Sequence, residues 1–249
     1  MRSIAPRGIL PGTQWVLVYG SLVLMAEAVL ALVDVAVGAA LHAAILVAVA
    51  THAAYSRVPR DAQLPVLGLV PLIRLLSIVM LVPGIAPIYW LGMVGAPALL
   101  AVGLAMRAMG ASPADLGLGR PRSISEQAIV ATVGLPLGWV GVNVVGLPGM
   151  PAEGVSPLLF VAMVGPFVVL LEELVYRGLL QRAAAAHGAL VAIVAPNFFY
   201  AATYFSTALS GAILFMGVTG VLFSLIVYRT GSLWGVIGAN MLLRIALQI

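Results

Sequence analysis

Glu172 and Glu173 stand side by side behind the apolar run 158–171, and Tyr176 and Arg177 follow one turn later. An ionisable side chain at the centre of a membrane helix costs about 2.5 to 3.5 kcal/mol even on lenient insertion scales, so such residues normally face a cavity or one another. Glu173 and Arg177 are four apart with the acid first, the favourable order for a helical ion pair, and Glu172 has the same spacing to Tyr176. Neighbouring helical residues diverge by about 100°. Glu173 can therefore be neutralised within its own helix, while Glu172 must find its partner elsewhere. A carboxylate left in that position is suited to general-base work on a water molecule.

The elements that hold these residues follow from composition. With 63% of residues hydrophobic and 8% charged, the chain reads as an all-α, polytopic transmembrane helical bundle. A spanning helix needs about 20 mostly apolar residues, and eight to nine such stretches fit: Trp15–Leu32, Val35–Ala54, Leu64–Val82, Ile88–Met106, Gln127–Leu147, Ser156–Leu180, Ala189–Phe205, Gly211–Tyr228 and Leu233–Leu247. Residues 1–249 are expected to form one membrane domain, since little remains for a soluble one. The sizeable polar segment, 110–126, predicts an interfacial or capped helix start.

All twelve basic residues are arginine. Arg2, Arg7, Arg57, Arg60, Arg107, Arg120, Arg122, Arg177, Arg182 and Arg229 fall on one side of a nine-span arrangement, whereas the opposite loops carry Asp34 and Glu153. The positive-inside bias puts the N-terminus in the cytoplasm, and a prokaryotic plasma membrane is the expected location. The net charge of +4 is thus explained by topology, and nucleic acid is not an expected partner. Absence of cysteine excludes disulfides, thiolate catalysis and cysteine-held metals. Arg2, Arg7, the run Trp15–Met25 and Ala26-Glu27-Ala28 loosely resemble a secretory leader, but the apolar pattern resumes at once and predicts an uncleaved first span. No convincing repeat is present.

Glu-Glu-x-x-x-Arg-Gly at 172–178, continuing Leu179-Leu180-Gln181, resembles the first motif of the intramembrane CAAX-protease and bacteriocin-processing family, which includes the Rce1-type endopeptidases. Tyr228-Arg229-Thr230-Gly231-Ser232-Leu233-Trp234 resembles the approach to that family's last motif. The resemblance implies a helical core over residues 156–249, with a polar site toward the cytoplasmic half. It implies further that the first glutamate, here Glu172, activates a water for peptide hydrolysis with a histidine from Phe-x-x-x-His and a later His-x-x-x-Asn. Those later positions depart from the family pattern. Phe199 is followed four residues on by Thr203, and the last motif reads Asn240 to Arg244. Neither position offers an imidazole to share a proton or to ligate zinc, so a zinc hydrolase is not expected; the cofactor is left open. Arg244, one turn after Asn240, is within reach of the acidic pair.

Three readings follow. One is a family-like protein without peptidase activity, a scaffold or accessory subunit of a membrane assembly in which Arg244 and Glu172 form a structural ion pair. Another is an active endopeptidase cleaving lipidated or transmembrane peptides, with Glu172, Glu173, Arg177, Thr203 and Asn240 as its catalytic set and Thr203, Tyr204 or Asn240 orienting water or holding the oxyanion. A third is a small transporter with Glu172 and Arg74 on an ion path, which predicts an inverted repeat. Expected partners are membrane lipid, other membrane proteins and, for the enzyme, a hydrophobic or lipidated peptide.

Of the remaining residues, His42, His52 and His187 are expected to be solvated or at helix ends, and Glu27 and Arg74 to form an intramembrane ion pair or to snorkel. Trp15, Trp90, Trp139 and Trp234 are expected as interfacial anchors. Pro71, Pro136, Pro166 and Pro196 each remove a helical hydrogen bond and predict a kinked bundle with a cavity. Gly134-x-x-x-Gly138 predicts close helix packing. Because the chain lacks cysteine, topology can be read without background labelling. In intact cells an impermeant thiol reagent should modify Asp34→Cys and spare Arg122→Cys until lysis, and the reverse pattern would invert the orientation.

Overall fold

Runs this apolar must satisfy their backbone hydrogen bonds internally, and the helix does so within a single segment. The computed structural model describes residues 11–56, 64–79, 87–147, 155–204 and 210–248. Among them are nine helices: α1 (Pro11–Leu32), α2 (Val35–Tyr55), α3 (Leu64–Val79), α4 (Pro87–Ala108), α5 (Ile124–Val145), α6 (Pro157–Ala185), α7 (Ala189–Ala202), α8 (Ser210–Thr230) and α9 (Trp234–Ala246). Arg2, Arg7, Arg57, Arg60 and Glu153 lie outside the described residues.

Six of these helices, α1, α2, α4, α5, α6 and α8, are long and apolar enough to cross a membrane. Among the described residues, six of the expected eight to nine spans meet that length, and the other three helices are shorter. At 1.5 Å per residue, the 14 and 13 residues of α7 and α9 reach about 21 and 20 Å, short of a ~30 Å hydrocarbon core, and the 16 described residues of α3 reach about 24 Å. Hydropathy counts apolar residues whether or not they are helical. Gly188, at φ 106°, directly precedes α7, and Gly231, at φ 68°, turns the chain between α8 and α9, both at the expected breaks between apolar stretches.

Local signals fix several helix starts. Ser123 Oγ accepts from Glu126 N at 3.1 Å, Ser156 Oγ from Leu159 N at 3.2 Å and Asp34 Oδ1 from Val37 N at 2.9 Å, each satisfying an otherwise unpaired first-turn donor. Ser123 provides the capped helix start expected of segment 110–126, and a short 3₁₀ turn at Ala114–Leu116 precedes it. Asp115 there accepts from Ser112 N at 2.9 Å and Ser112 Oγ at 2.7 Å, and these bonds hold its carboxyl below the usual carboxylate range.

This turn is a junction. Arg182 Nη1 donates to Asp115 O at 2.7 Å, Leu233 N to Gly117 O at 2.9 Å and Trp234 Nε1 to Gly119 O at 3.0 Å. The arginine-bearing loop 110–123, the end of α6 and the start of α9 consequently meet at one end of the bundle. Trp234 is tied to a loop carbonyl, a more specific contact than anchoring alone.

α9 carries a one-sided pattern. Gly235, Val236, Ala239, Asn240, Leu243 and Arg244 are its buried residues, the spacing of one helical face. That face packs on α5, where Gly134 and Gly138 leave room. A Cβ on Gly134 would strike the Ala239 carbonyl, and one on Gly138 would meet Ala246 Cβ and the Leu243 carbonyl. The small-residue pair thus serves packing between α5 and α9, and brings Asn240 and Arg244 to bear on α6.

α6 is not uniformly α-helical. Wider π-type turns at Gly165–Leu170 and Leu174–Leu180 flank the α-helical Leu171–Glu173. The first includes Pro166, which has no N–H to give. π turns recur where helices are bent to serve a site, and here they bracket the carboxylate pair.

Replacing Gly134 with alanine should destabilise the protein by about 1 to 3 kcal/mol, the usual cost of overpacking. Gly103→Ala, where nothing lies within 4 Å, should be neutral. Thermal unfolding in detergent compares the two, and equal melting temperatures would contradict the packing role.

Candidate functional site

The two carboxylates on α6 are held by different partners. Glu173 is fully buried and pairs with Arg177 Nη1 at 3.4 Å, a long contact within its own helix. Glu172 turns to α9, where Arg244 Nη2 donates to Oε1 at 2.7 Å and to Oε2 at 2.6 Å. Between them, Asn240 Nδ2 donates to Glu173 Oε1 at 2.8 Å and to Glu172 Oε2 at 3.2 Å. One amide and one guanidinium from α9 thereby tie down the acidic pair of α6.

Arg177 is itself enclosed. Its guanidinium carbon lies 4.3 Å from the Tyr200 ring centroid, with Phe223 at 5.8 Å and Tyr176 at 6.0 Å, distances at which ring quadrupoles stabilise the cation. Its Nη2 donates to Asn197 Oδ1 at 3.3 Å. Asn197 Nδ2 passes the network on, bonding Ser224 Oγ at 2.8 Å and the Ile193 carbonyl, and Gln181 Nε2 donates to Ser224 O at 2.9 Å. Gly220 on α8 makes this approach possible, since a Cβ there would lie 2.5 Å from Asn197 Oδ1 and 3.0 Å from Arg177 Nη2.

Thr203, at the end of α7, donates its hydroxyl to Tyr200 O at 2.7 Å. With that proton committed, it meets its surroundings as an acceptor. Tyr200 stacks edge-on between Tyr176 and Tyr204, at 5.1 and 5.6 Å.

A cavity of about 230 Å³ opens beside this network. Its polar lining is Glu172, Tyr176, Thr203 and Tyr204 from α6 and the α7 end, with Arg74 and Ser77 from α3. Glu172 keeps 21% side-chain exposure, against 0% for Glu173. Of the two acids, Glu172 is the one a ligand can approach. Asn240 and Arg244 approach it from the α9 side.

A second charged cluster lies behind the cavity. Arg74 Nε is 2.9 Å from Glu27 Oε1, an ion pair without an aligned hydrogen bond, and His42 Nε2 is 3.4 Å from the same oxygen. Glu27 and His42 are both fully buried. The intramembrane ion pair expected for Glu27 and Arg74 is present. The expectation of a solvated or helix-end His42 is corrected: its ring lies mid-helix on the buried face of α2 with Gly38, Ile45 and Val49, drawn in by a carboxylate that periodicity in α2 alone does not reveal. His52 sits near the helix end, its Nδ1 3.1 Å from Tyr19 Oη and its ring edge-on to Trp15 at 4.2 Å. His187 lies in the turn between α6 and α7.

Asn197, Ser224, Gln181 and His42 were the polar residues that sequence reasoning passed over as site members. The available signal was slight: lone polar residues within apolar runs, one of them directly after Pro196.

Residues 154–246 match the family model described as type II CAAX prenyl endopeptidase Rce1-like. No curated protein and no solved structure matches the chain. The matched segment is less than half of the chain. It includes α6 to α9 and with them Glu172, Glu173, Arg177, Asn197, Asn240 and Arg244, whereas Glu27, His42 and Arg74 belong to the preceding helices. Residues 154–246 of this helical membrane protein are an Rce1-like CAAX prenyl endopeptidase family domain.

Proposed function

We propose that this protein keeps the Rce1-like helical core without its peptidase chemistry and acts as a scaffold or accessory subunit of a membrane assembly. One observation carries the reading: both oxygens of Glu172 are engaged by Arg244, at 2.7 and 2.6 Å. A general base must accept a proton from water. A carboxylate held at both oxygens by a guanidinium has its negative charge compensated, which makes it a poor one. The cavity also lacks an imidazole to shuttle the proton onward, because Thr203 and Asn240 stand where the family pattern has histidines. The Thr203 hydroxyl proton and the Asn240 amide are both engaged, which leaves the oxyanion without an obvious donor from either.

Under this reading Glu172, Glu173, Arg177, Asn240 and Arg244 lock α6 to α9 in register. Partner membrane proteins would meet the chain through apolar outer faces such as Leu158 and Val161 on α6 or Leu214 and Val218 on α8, all exposed. The arginine distribution supports a cytoplasmic N-terminus in a prokaryotic plasma membrane.

A second reading has one observation in its favour: Glu172 lines a cavity and remains partly accessible, as a hydrolytic glutamate must. Transport through Glu172 and Arg74 has less support, since each is held in its own ion pair.

Membrane-anchored peptide substrates, lipidated and unlipidated, incubated with the reconstituted protein separate these readings. No cleavage above the Glu172→Gln background is expected. Product from wild type that Glu172→Gln abolishes would establish the peptidase instead. The triple change Thr203→His, Asn240→His, Arg244→Asn restores the family pattern and tests whether the scaffold can host the chemistry.

A further inference from the structure

The cavity beside Glu172 has a chemical asymmetry that an ion-pair lock does not require. On the α3 side, Arg74, whose Nε lies 2.9 Å from Glu27 Oε1, is the cation of the lining. On the opposite side stands the Glu172 carboxylate. Of the four hydroxyls of the lining, the two aliphatic ones are spent as donors, Ser77 Oγ to Arg74 O at 2.7 Å and Thr203 Oγ1 to Tyr200 O at 2.7 Å. Both therefore offer only lone pairs. Arg74 thus suits an oxyanion, and Glu172 with Thr203 suits an N–H-bearing cation.

Charge sets a further condition. Arg74 is balanced by Glu27 and Glu172 by Arg244, so a lone anion or a lone cation in the cavity would introduce an uncompensated charge in a low-dielectric setting. A zwitterion would not. Size points the same way: at about 230 Å³ the cavity falls below the ~300 to 1,000 Å³ typical of sites that enclose a whole small molecule. It suits a headgroup whose remainder stays outside, and aliphatic side chains of α3 and α6 complete the lining.

We propose that this cavity binds the headgroup of an aminophospholipid, with the phosphate at Arg74 and the primary ammonium at Glu172 and Thr203. The inference rests on the reading of Glu172 as an ion-pair partner and not a base. A trimethylated ammonium has no N–H for these acceptors and is disfavoured, although Tyr176 and Tyr204 would tolerate its charge. An anionic headgroup without an amine lacks the partner for Glu172.

Native mass spectrometry of the full chain, with phosphatidylethanolamine, phosphatidylcholine or phosphatidylglycerol titrated into detergent, tests this. Phosphatidylethanolamine should bind about tenfold more tightly than either other lipid, the worth of one or two charge-assisted hydrogen bonds. Thr203→Val, which removes only an intrahelical hydroxyl bond, should reduce the preference. Glu27→Gln with Arg74→Gln, which removes that ion pair as a unit and leaves no buried charge unpaired, should abolish it. Equal binding of the three lipids, a preference for phosphatidylglycerol, or a phosphatidylethanolamine preference that survives the double change would overturn the proposal. Soluble phosphoethanolamine binding as tightly as the lipid would overturn its lipid source. Peptide hydrolysis by wild type would defeat the non-enzymatic reading alone, since lipid preference is read separately.

Discussion

Three carboxylates lie among helices built largely of apolar residues, and each must have its charge met inside the protein. Glu27 meets Arg74, Glu172 meets Arg244 and Glu173 meets Arg177. An unpaired charge at this depth would cost several kcal/mol, and breaking one member of a buried pair leaves that cost exposed. Matching acids to arginines therefore constrains which helices can be neighbours. α9 must present Arg244 to α6, α3 must present Arg74 to α1, and the π turns of α6 orient its two acids toward different partners.

The same constraint explains the chemistry. A hydrolytic site needs a carboxylate whose negative charge is available to a proton. Here the charge of Glu172 is already answered by a guanidinium on α9, and the amide of Asn240 binds both acids at once. Under the proposed reading, an arginine at 244 answers the charge of Glu172 in place of a water and a histidine, and the carboxylate serves as a cross-brace. Arg177 is enclosed more completely, surrounded by three aromatic rings and the Asn197 side chain.

Much of the fold was legible because bilayer length and apolar content are one-dimensional properties. Nine helices appear where nine apolar stretches were read, and the i, i+4 spacing of Glu173 and Arg177 anticipated their contact. The breaks before α7 and α9 were legible too, whereas their falling short of a bilayer was not weighed, because apolar content locates a helix without deciding whether it crosses. In the site, the one-turn spacing of Asn240 and Arg244 already brought Arg244 within reach of the acids. The Asn197–Ser224 link and the burial of His42 depend on which helices touch. That is decided by close approaches such as Gly134 on α9 and Gly220 on the Arg177 network, where what matters is an absent side chain. A lone polar residue in an apolar run signals a partner without naming it.

The most direct measurement is a double-mutant cycle on unfolding stability with Glu172→Gln, Arg244→Gln and the pair together. If the two side chains are a structural brace, each single change should cost about 3 kcal/mol or more by leaving its partner unpaired, and the double change should cost clearly less than their sum. Additive effects, or an Arg244→Gln protein as stable as wild type, would contradict the brace and return Glu172 to the status of a free carboxylate in an open cavity.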